Sequence, residues 1–293
     1  ARAVVLADGG FQGNLELVRR HICSVPEKLK QRGPSTGVGD GLRMAQAMGA
    51  RVTDLDYFYG HMLSRDAFTN DLVWPYPQLD ELGIAGIVVD TAGERFADEG
   101  LGGVYLANAI AKLPDPLAAW AIFDEAIWQG PGTTARIPAN PHLVKAGGTM
   151  LKANTLRELA ALAGIAAGAL ESTVAECDKA LSAGRLAQLD PPRTPSAVEA
   201  LPIRQPPFYA VPLCAGITYT FGGVAIDEHG RVLRSDGGPI SGLYAVGATT
   251  GGLEGVKGCG YVGGLVKGLV FGLRAAEHAA KKINNASGAA VDS

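Results

Sequence analysis

The sequence predicts an α/β fold in which the two ends of the chain form one body and an α+β segment interrupts it. Two short apolar runs, residues 3–7 near the start and 243–246 near the end, are typical of buried parallel strands. Each run leads into a glycine-rich stretch, whereas the middle of the chain carries dense aromatic residues and prolines. We predict a first body from residues 1–50 and 208–280, an inserted domain from residues 51–207, and a flexible tail over residues 281–293.

The first fifty residues are predicted to hold one strand and two helices. The strand over Ala3–Ala7 ends at a tight turn, and residues 14–21 have a helical pattern. Apolar residues recur at helical spacing from Leu42 onward. A second helix is therefore expected there, and Gly49 would end it.

The middle segment is predicted to combine one strand with several helices. Its clearest local signal is a helix start, with Asn154 or Thr155 as the N-cap and Glu158 shortly inside the helix. The predicted elements are a strand over Ile84–Val89, helices over 104–112, 118–128 and from about 155 to 181, and connections over 129–148 and 183–207.

The last part of the chain returns to strands and ends on a helix. The helix over Leu265–Lys282 is apolar on most faces, so we expect it to be buried. The predicted strands are Tyr209–Leu213, Gly223–Ile226, Arg231–Leu233 and Leu243–Val246.

Composition excludes several classes of protein. The chain has 293 residues, 47% of them hydrophobic, and a net charge of −3, so no basic field attracts nucleic acid or an anionic membrane. No apolar run reaches the roughly 18 residues that a membrane span needs. The chain opens on a strand pattern rather than a signal peptide, so we expect a cytoplasmic protein. Its four cysteines form no CxxC pair and are expected to be buried thiols without a metal site, in a reducing compartment: Cys23, Cys177, Cys214 and Cys259.

Glycine is the informative residue type. The chain has 40 glycines, nearly twice the usual share of about 7%. They follow no fixed period, which argues against collagen and solenoid repeats. Glycine at strand ends lets the backbone approach a ligand closely. The clusters lie at residues 9–13, 37–41, 222–223 and 247–268.

Four sequence blocks, in this order, carry a family resemblance. They are AVVLADGGFQGN (3–14), TGVGDGLRMAQAMGA (36–50), GIVVDTAGERFADE (86–99), and the stretch 207–275 with TYTFGGVAID and GLYAVGATTGG. Together they resemble the flavoprotein family of fumarate reductases, succinate dehydrogenases, L-aspartate oxidase, tricarballylate dehydrogenase and 3-ketosteroid dehydrogenases. The resemblance implies FAD as cofactor. It also implies a partial Rossmann-like FAD-binding domain interrupted by an α+β cap domain over residues 51–207.

One family element has no counterpart in the chain. The family begins with a strand, a GxGxxG turn and a helix, where the pyrophosphate rests on the N–H groups of a helix N-terminus. The residues from Ala1 onward contain no such unit. The resemblance therefore implies a member without its first third, and that segment becomes a candidate partner. Whether it is lost, lies outside this chain or is supplied by another chain stays open.

The resemblance implies three regions that contact FAD. The turn after the first strand would lie near the adenosine half. Asp40 would accept hydrogen bonds from the cofactor or from loop N–H groups, or it would cap the helix at Leu42. The start of the last helix would face the flavin edge that becomes negative on reduction. The implied cofactor-binding residues are Gly9, Gly10, Asn14, Asp40, Gly247, Gly263, Gly264 and Leu265.

The chain departs from the family at its substrate-binding residues. Three positions where the dicarboxylate reductases have arginine are Trp128, Gly102 and Lys257 or Gly258, and the usual glutamate after Gly247 is Ala248. Bidentate arginines are the usual means of holding a diacid. The resemblance with these departures therefore implies a neutral, partly apolar small-molecule substrate.

The candidate catalytic residues also follow from the resemblance. His61 matches a substrate-binding histidine, and Tyr219 stands where the family has a second one. Tyr219, Tyr261 and His61 are therefore the expected proton-handling residues. Arg95 and Glu99 are expected to pair structurally, and Trp128 is either part of an aromatic substrate wall or simply core.

The sequence thus predicts an FAD-dependent oxidoreductase that acts on a C–C bond. It would reduce an alkene, or dehydrogenate beside a carbonyl, with a tyrosine moving the proton. A dicarboxylate reductase with Arg65 or Arg136 as clamp is one alternative. A truncated or split non-enzymatic fragment is the other. The electron donor or acceptor stays open, and we expect this chain alone to bind FAD weakly or not at all.

Overall fold

The computed structural model describes residues 1–255, 258 and 260–288, and it divides the chain into two compact units. The first unit comprises residues 1–22, 33–59 and the described part of the chain from Thr218 onward. The second unit comprises residues 23–32 and 60–217. The predicted boundaries therefore need correction, because residues 23–32 and 208–217 belong to the second unit and residues 51–59 to the first.

Short strands and helices alternate along both units. The strands are β1 (Val4–Leu6), β2 (Lys30–Gln31), β3 (Phe58–Ser64), β4 (Ile87–Val89), β5 (Trp120–Asp124), β6 (Leu151–Ala153), β7 (Phe208–Thr220), β8 (Arg231–Leu233) and β9 (Pro239–Ala245). The α-helices are α1 (Leu15–His21), α2 (Asp40–Ala47), α3 (Asp80–Ala85), α4 (Gly103–Ala111), α5 (Glu125–Gln129), α6 (Pro131–Thr134), α7 (His142–Lys145), α8 (Leu156–Ala163), α9 (Ala167–Ser182) and α10 (Gly264–Gly288).

The first unit is built on a three-stranded sheet in the order β1-β9-β8. Strands β1 and β9 are parallel, with Val4 opposite Leu243, so the expected pairing of the two ends of the chain is confirmed. Helix α10 packs on β9 through a small core of Tyr244, Val246, Ala275 and Ala279. The predicted strand over Gly223–Ile226 is absent from the described strands, because its residues form only isolated bridges.

Helix α10 differs from its prediction in two ways. It continues to Gly288, so the tail predicted from residue 281 is helical up to there, and residues 289–293 lie outside the described part. The helix is also not buried all round. Leu265 is 84% exposed and Leu269 is 72% exposed, because only one face packs on the sheet.

The second unit is built around β7, a thirteen-residue strand. The sheet runs β2-β7-β5-β4, and β3 and β6 also pair with β7. This long strand draws residues 208–217 into the second unit. The strand β5 is fully buried and pairs antiparallel with both β4 and β7.

Local sequence decided some elements of the second unit and tertiary pairing decided others. Thr155 and Glu158 form the expected capping box at the start of α8. The helix predicted over 118–128 is wrong in its first half, because Trp120–Asp124 is the strand β5. The strand predicted from Ile84 begins only at Ile87, since Ile84 is still in α3. Among the described residues, no helix has the length and apolar character that crossing a membrane would require.

Candidate functional site

Three separate segments of the first unit meet at the carboxyl end of β1. The Asp8 carboxylate accepts hydrogen bonds from the backbone N–H of Gly41 at 2.7 Å and from the Thr249 hydroxyl at 3.2 Å. The N–H of Gly9 donates to the same Thr249 oxygen at 3.0 Å. The turn after β1, the start of α2 and the glycine-rich segment after β9 are thereby joined. Sequence reasoning missed Asp8 and Thr249, although an Asp directly after an apolar strand was the available signal. The strand is less buried than predicted, because Val4 and Val5 are exposed.

The turn after β1 requires glycine for space. A Cβ at Gly10 would lie 2.3 Å from the Thr220 hydroxyl oxygen, which accepts a hydrogen bond from the N–H of Phe11. Asn14, predicted to contact the cofactor, is the N-cap of α1 and accepts hydrogen bonds from two N–H groups of the first turn. Its amide also donates to the Val38 carbonyl oxygen at 3.1 Å. Gly10 and Asn14 therefore shape the turn from within.

Asp40 is an exposed side chain at the first position of α2. The N-cap of this helix is Gly39, and Asp40 makes no capping hydrogen bond, so the capping alternative is wrong. Its carboxylate pairs with Arg43 one helical turn later, in a solvent-exposed ion pair. Such pairs contribute little to stability, so Asp40 remains available as an acceptor toward solvent.

The glycine-rich segment leads into the N-terminus of α10. Gly247 and Gly263 have positive φ angles of 64° and 97°, a region that favours glycine. The N–H of Gly264 donates to the Tyr261 hydroxyl at 3.1 Å. A Cβ built at Gly264 would meet no described heavy atom within 4 Å. The first turn of α10, which includes Leu265, is therefore an open surface with N–H groups that have no partner within the helix.

Three tyrosines form a cluster in the same unit. The rings of Tyr59 and Tyr261 stack with centroids 4.8 Å apart, and Tyr59 lies 5.3 Å from Tyr219. The Tyr219 hydroxyl is buried and has no hydrogen-bond partner among the described residues. Burial raises the pKa of this hydroxyl, and the Glu254 carboxylate raises it further. Two of the predicted catalytic residues, Tyr219 and Tyr261, are therefore neighbours.

A buried ion pair lies in the same unit. The Lys267 ammonium group donates to Glu254 Oε1 at 2.8 Å and to the Thr250 carbonyl oxygen at 2.9 Å. Both side chains are almost fully buried, at 2% and 1% exposure. Glu254 Oε2 has no partner in the described part of the chain. Sequence reasoning missed this pair, because a charge in a glycine-rich stretch carries no periodic signal.

His61, the third predicted catalytic residue, belongs to the second unit. Its Nδ1 lies 2.6 Å from Asp80 Oδ2, and Asp80 Oδ1 accepts a hydrogen bond from the N–H of Met62. A Cβ at Gly103 would lie 2.0 Å from the Asp80 carboxyl carbon, so α4 approaches this pair closely. Asp80 thus fixes the ring orientation of His61, a role that the sequence did not predict.

Two arginines of the second unit, Arg95 and Arg65, make contacts within that unit. Arg95 and Glu99 form the expected ion pair, fully buried in the second unit. Arg65, the candidate carboxylate clamp, donates to the Ala119 carbonyl oxygen and lies over the Trp120 ring.

Trp128 is buried and stacks on Phe123, which makes it part of the core rather than a substrate wall. Gly102 lies at the N-cap of α4 and Gly258 in a turn. The candidate Lys257 and the cysteine Cys259 lie outside the described residues. The three cysteines that are described, Cys23, Cys177 and Cys214, are buried free thiols as predicted.

The first comparison with known proteins concerns the family. Residues 1–261 match the family model described as FAD binding domain. The chain belongs to this family of FAD binding domains. The predicted family resemblance is thereby confirmed, and FAD is the cofactor of the family.

The matches to individual relatives extend over almost the whole of this chain. A "probable fumarate reductase" of Shewanella frigidimarina is 30% identical over 284 residues, which is 96% of this chain and 44% of the relative. The 4-oxocyclohex-2-ene-1-carboxylate 5-dehydrogenase of Sinomonas cyclohexanicum is 31% identical over 95% of this chain and 50% of its own length. A solved 3-ketosteroid Δ1-dehydrogenase from Sterolibacterium denitrificans, in complex with 1,4-androstadiene-3,17-dione, matches with a TM-score of 0.71 and 26% identity, over 96% of this chain and 53% of that one. The chain thus spans about half the length of these relatives.

The residues present fit part of an FAD molecule. Gly264 offers open space at the first turn of a long helix, where the positive end of the helix dipole favours a negatively charged group. The turn after β1 contains glycines, so a ligand can come close to its backbone. The exposed Asp40 carboxylate can accept hydrogen bonds from hydroxyl groups. The Asp8 and Thr249 contacts hold these regions together. These residues therefore fit a ligand that carries both hydroxyl groups and negative charge, as FAD does.

Proposed function

We propose that the complete protein is an FAD-dependent oxidoreductase that acts on a C–C bond. It reduces an alkene or dehydrogenates next to a carbonyl, in a neutral or partly apolar substrate. The observation that carries this proposal is the Tyr219 hydroxyl, which is buried without a partner beside two further tyrosines. Three relatives support the C–C bond chemistry, because their names describe a reductase of fumarate and dehydrogenases of a cyclic enone acid and a ketosteroid.

In this proposal the first unit is a partial Rossmann-like FAD-binding domain and the second an α+β cap domain. Gly9, Gly10 and Asp40 would hold the adenosine half of the cofactor, and the first turn of α10 would hold the flavin edge. When bound, FAD would supply hydride transfer at one carbon of the substrate. Tyr219 holds the proton that moves at the neighbouring carbon. Since burial raises its pKa, Tyr219 is protonated at neutral pH and acts as the proton donor in the reductive direction.

Charge is the basis for a neutral substrate. A diacid brings two negative charges into a desolvated site, and each unpaired charge costs several kcal/mol. Of the three positions where the dicarboxylate reductases have arginine, two are described, and both lack a cation. Trp128 is core and Gly102 has no side chain. The remaining candidate, Lys257, could hold one carboxylate but lacks the fork that binds it in a bidentate manner.

A dicarboxylate reductase remains the alternative, favoured by the relative named a fumarate reductase. It requires cations to clamp the substrate. Arg65 donates to the Ala119 carbonyl oxygen and lies over the Trp120 ring, while its buried Nε has no partner in the described part of the chain. Arg136, exposed after α6, is the other candidate. The assay therefore uses fumarate and a cyclic enone side by side. We expect turnover of the cyclic enone with reduced artificial donor and little turnover of fumarate, and the reverse preference would contradict the neutral-substrate proposal.

The exposed apolar face of the first unit bears on cofactor binding. The edge strand β1 leaves Val4 and Val5 about half exposed, at 47% and 46%, and α10 leaves a row of leucines and valines exposed. Parallel sheets are normally covered on both faces, so the exposure of the consecutive residues Val4 and Val5 leaves room for a further element. We infer that the dinucleotide-binding segment of the family, with its strand, GxGxxG turn and helix, adds beside β1 and completes the FAD site. That segment is the partner proposed for this chain.

Flavin content tests the inference directly. The isolated chain should purify with little FAD, measured by its visible absorbance. Co-expression with the dinucleotide-binding segment of a relative should raise the flavin content toward one per chain. A segment with its GxGxxG glycines replaced by valine is the control, since it should not restore flavin. Tight, stoichiometric FAD in the isolated chain would show the inference to be wrong, and flavin-free complete protein would favour the non-enzymatic fragment.

A further inference from the structure

Three buried side-chain atoms of the first unit lack hydrogen-bond partners in the described part of the chain, and one of them is Oε1 of Gln12. The other two are the hydroxyl oxygen of Tyr219 and Oε2 of Glu254. Buried polar groups are normally paired, and each exception calls for an explanation. A phenol hydroxyl donates and a carboxylate oxygen accepts, so the two atoms have opposite requirements.

The segments that carry these atoms are in contact. A Cβ at Gly251, three residues before Glu254, would lie 2.8 Å from the Phe221 carbonyl oxygen, two residues after Tyr219. Burial is the main cause of the raised pKa of the Tyr219 hydroxyl. Among the titratable groups, Glu254 raises this pKa most, followed by Tyr261 and Tyr59. The two unpartnered atoms therefore belong to one neighbourhood of the same unit.

The Glu254 side chain is held in a fixed position. Lys267 on α10 binds Oε1, and the same ammonium group donates to the Thr250 carbonyl oxygen. The backbone carbonyl of Glu254 also accepts a hydrogen bond from the N–H of Gly260 at 3.1 Å. A buried ion pair contributes little net stability by itself. Here the pair fixes the Glu254 carboxylate and leaves its Oε2 without a partner in the described part of the chain.

We propose that Glu254 is a positioning residue for Tyr219, and that its open oxygen and the Tyr219 hydroxyl together bind one water molecule. The water accepts a hydrogen bond from the phenol and donates one to the carboxylate, so it satisfies both atoms. Lys267 holds the carboxylate in a fixed orientation through its hydrogen bond to Oε1. This inference rests on the proposed function for the role of Tyr219 as proton donor. The positions of Tyr219, Glu254 and Lys267 do not depend on that function.

The arrangement has a consequence for the proton on Tyr219. A phenolate at this position would lie near the Glu254 carboxylate and would lose the hydrogen bond that it donates to the water. The neutral phenol is therefore favoured until substrate takes its proton. Removal of the carboxylate should make Tyr219 easier to ionise.

The test is the ionisation of Tyr219 in the isolated chain, followed by NMR of tyrosine labelled with ¹³C at Cζ. Tyr219→Phe assigns the signal. In Glu254→Gln the Tyr219 signal should begin to move at lower pH than in the wild type. If this variant fails to fold with Lys267 unpaired, the double variant Glu254→Gln/Lys267→Gln provides the same readout with both charges removed.

The chain offers a matched control in the same unit. Burial raises the pKa of Tyr244, Arg231 lowers it, and Asp227, which pairs with Arg231, raises it. In Asp227→Asn the Tyr244 signal should change its titration while the Tyr219 signal stays as in the wild type. An unchanged Tyr219 titration in both Glu254 variants would overturn the proposal. So would a crystal structure that shows no water within hydrogen-bond distance of both atoms.

A kinetic measurement on the complete, FAD-loaded protein separates this inference from the proposed function. Glu254→Gln should lower kcat about tenfold or more and shift the pH dependence of kcat, with KM and flavin content near those of the wild type. A merely structural role would lower flavin content and leave the pH profile in place. Absence of wild-type turnover on every substrate would contradict the proposed function and leave the NMR result standing.

Discussion

Two buried ion pairs, one in each unit, differ in how completely their polar atoms are satisfied. In the second unit Arg95 binds both oxygens of Glu99 and donates to two backbone carbonyls, and Glu99 also accepts from the N–H of Val88. In the first unit Lys267 binds one oxygen of Glu254 and leaves the other open. The first arrangement is saturated and stabilises a loop-rich region, whereas the second keeps an acceptor available beside the tyrosine cluster.

The largest effect on stability is expected at the saturated pair. In Arg95→Met/Glu99→Leu, the carbonyls of Ala97 and Pro191 and the N–H of Val88 lose their partners. Each orphaned group costs about 1–3 kcal/mol, so the free energy of unfolding should fall by about 3 kcal/mol or more. Urea unfolding followed by circular dichroism measures this, and a change below about 1 kcal/mol would contradict the structural role of the pair.

The next largest effect is on turnover rather than stability. Tyr219→Phe in the complete protein should lower kcat by about 10²-fold or more while flavin stays bound, because the phenol that supplies the proton is gone. The free energy of unfolding should change little, since no described protein group loses a direct hydrogen bond when the hydroxyl is removed. Tyr76→Phe, at an exposed tyrosine of the second unit, is the control. Wild-type turnover in Tyr219→Phe would eliminate Tyr219 as the proton donor.

The open pair should tolerate replacement far better than the saturated one. In Lys267→Met/Glu254→Leu the Thr250 carbonyl loses its direct hydrogen bond from the ammonium group, and the Tyr219 hydroxyl loses at most the proposed water. We expect a loss of about 1 kcal/mol or less in the free energy of unfolding. Urea unfolding of this variant and of the Arg95–Glu99 variant compares the two ion pairs directly. Equal losses in the free energy of unfolding would contradict the difference that we infer between the two pairs.

The smallest effect is expected on the exposed face of α10. Leu269→Gln should change the stability of the isolated chain by less than about 0.5 kcal/mol, because the side chain is 72% exposed. The same substitution should weaken binding of the dinucleotide-binding segment, measured by flavin uptake on mixing. Equal flavin uptake by Leu269→Gln and the wild type would exclude this face of α10 from that contact.

Much of the first unit was predictable because its signals are local. The run Ala3–Ala7 and the turn that follows it identify β1, and helical spacing identifies α2. The glycine clusters marked the segments that meet around Asp8. Asp8 itself was not singled out, because its two partners are 33 and 241 residues away in the sequence.

The second unit shows where local signals fail. Residues 118–128 have a composition that fits a helix, yet Trp120–Asp124 is a strand between two partners. Hydrogen bonds along both edges and complete burial outweigh the weak helix propensity of a short apolar run. Conversely, the capping box of Thr155 and Glu158 was predictable, since both of its hydrogen bonds lie within four residues.

The sequence by itself determined the family, the cofactor class and the pairing of the two chain ends. It also singled out Tyr219 and Tyr261 as candidate residues for proton transfer. Those features depend on residue types and on patterns a few residues long. Only the tertiary structure decided that α10 exposes a leucine row, that Asp80 holds His61, and that Tyr219 and Glu254 each keep an atom without a partner. Burial and hydrogen bonding depend on residues that come together from distant parts of the chain, so no local pattern records them.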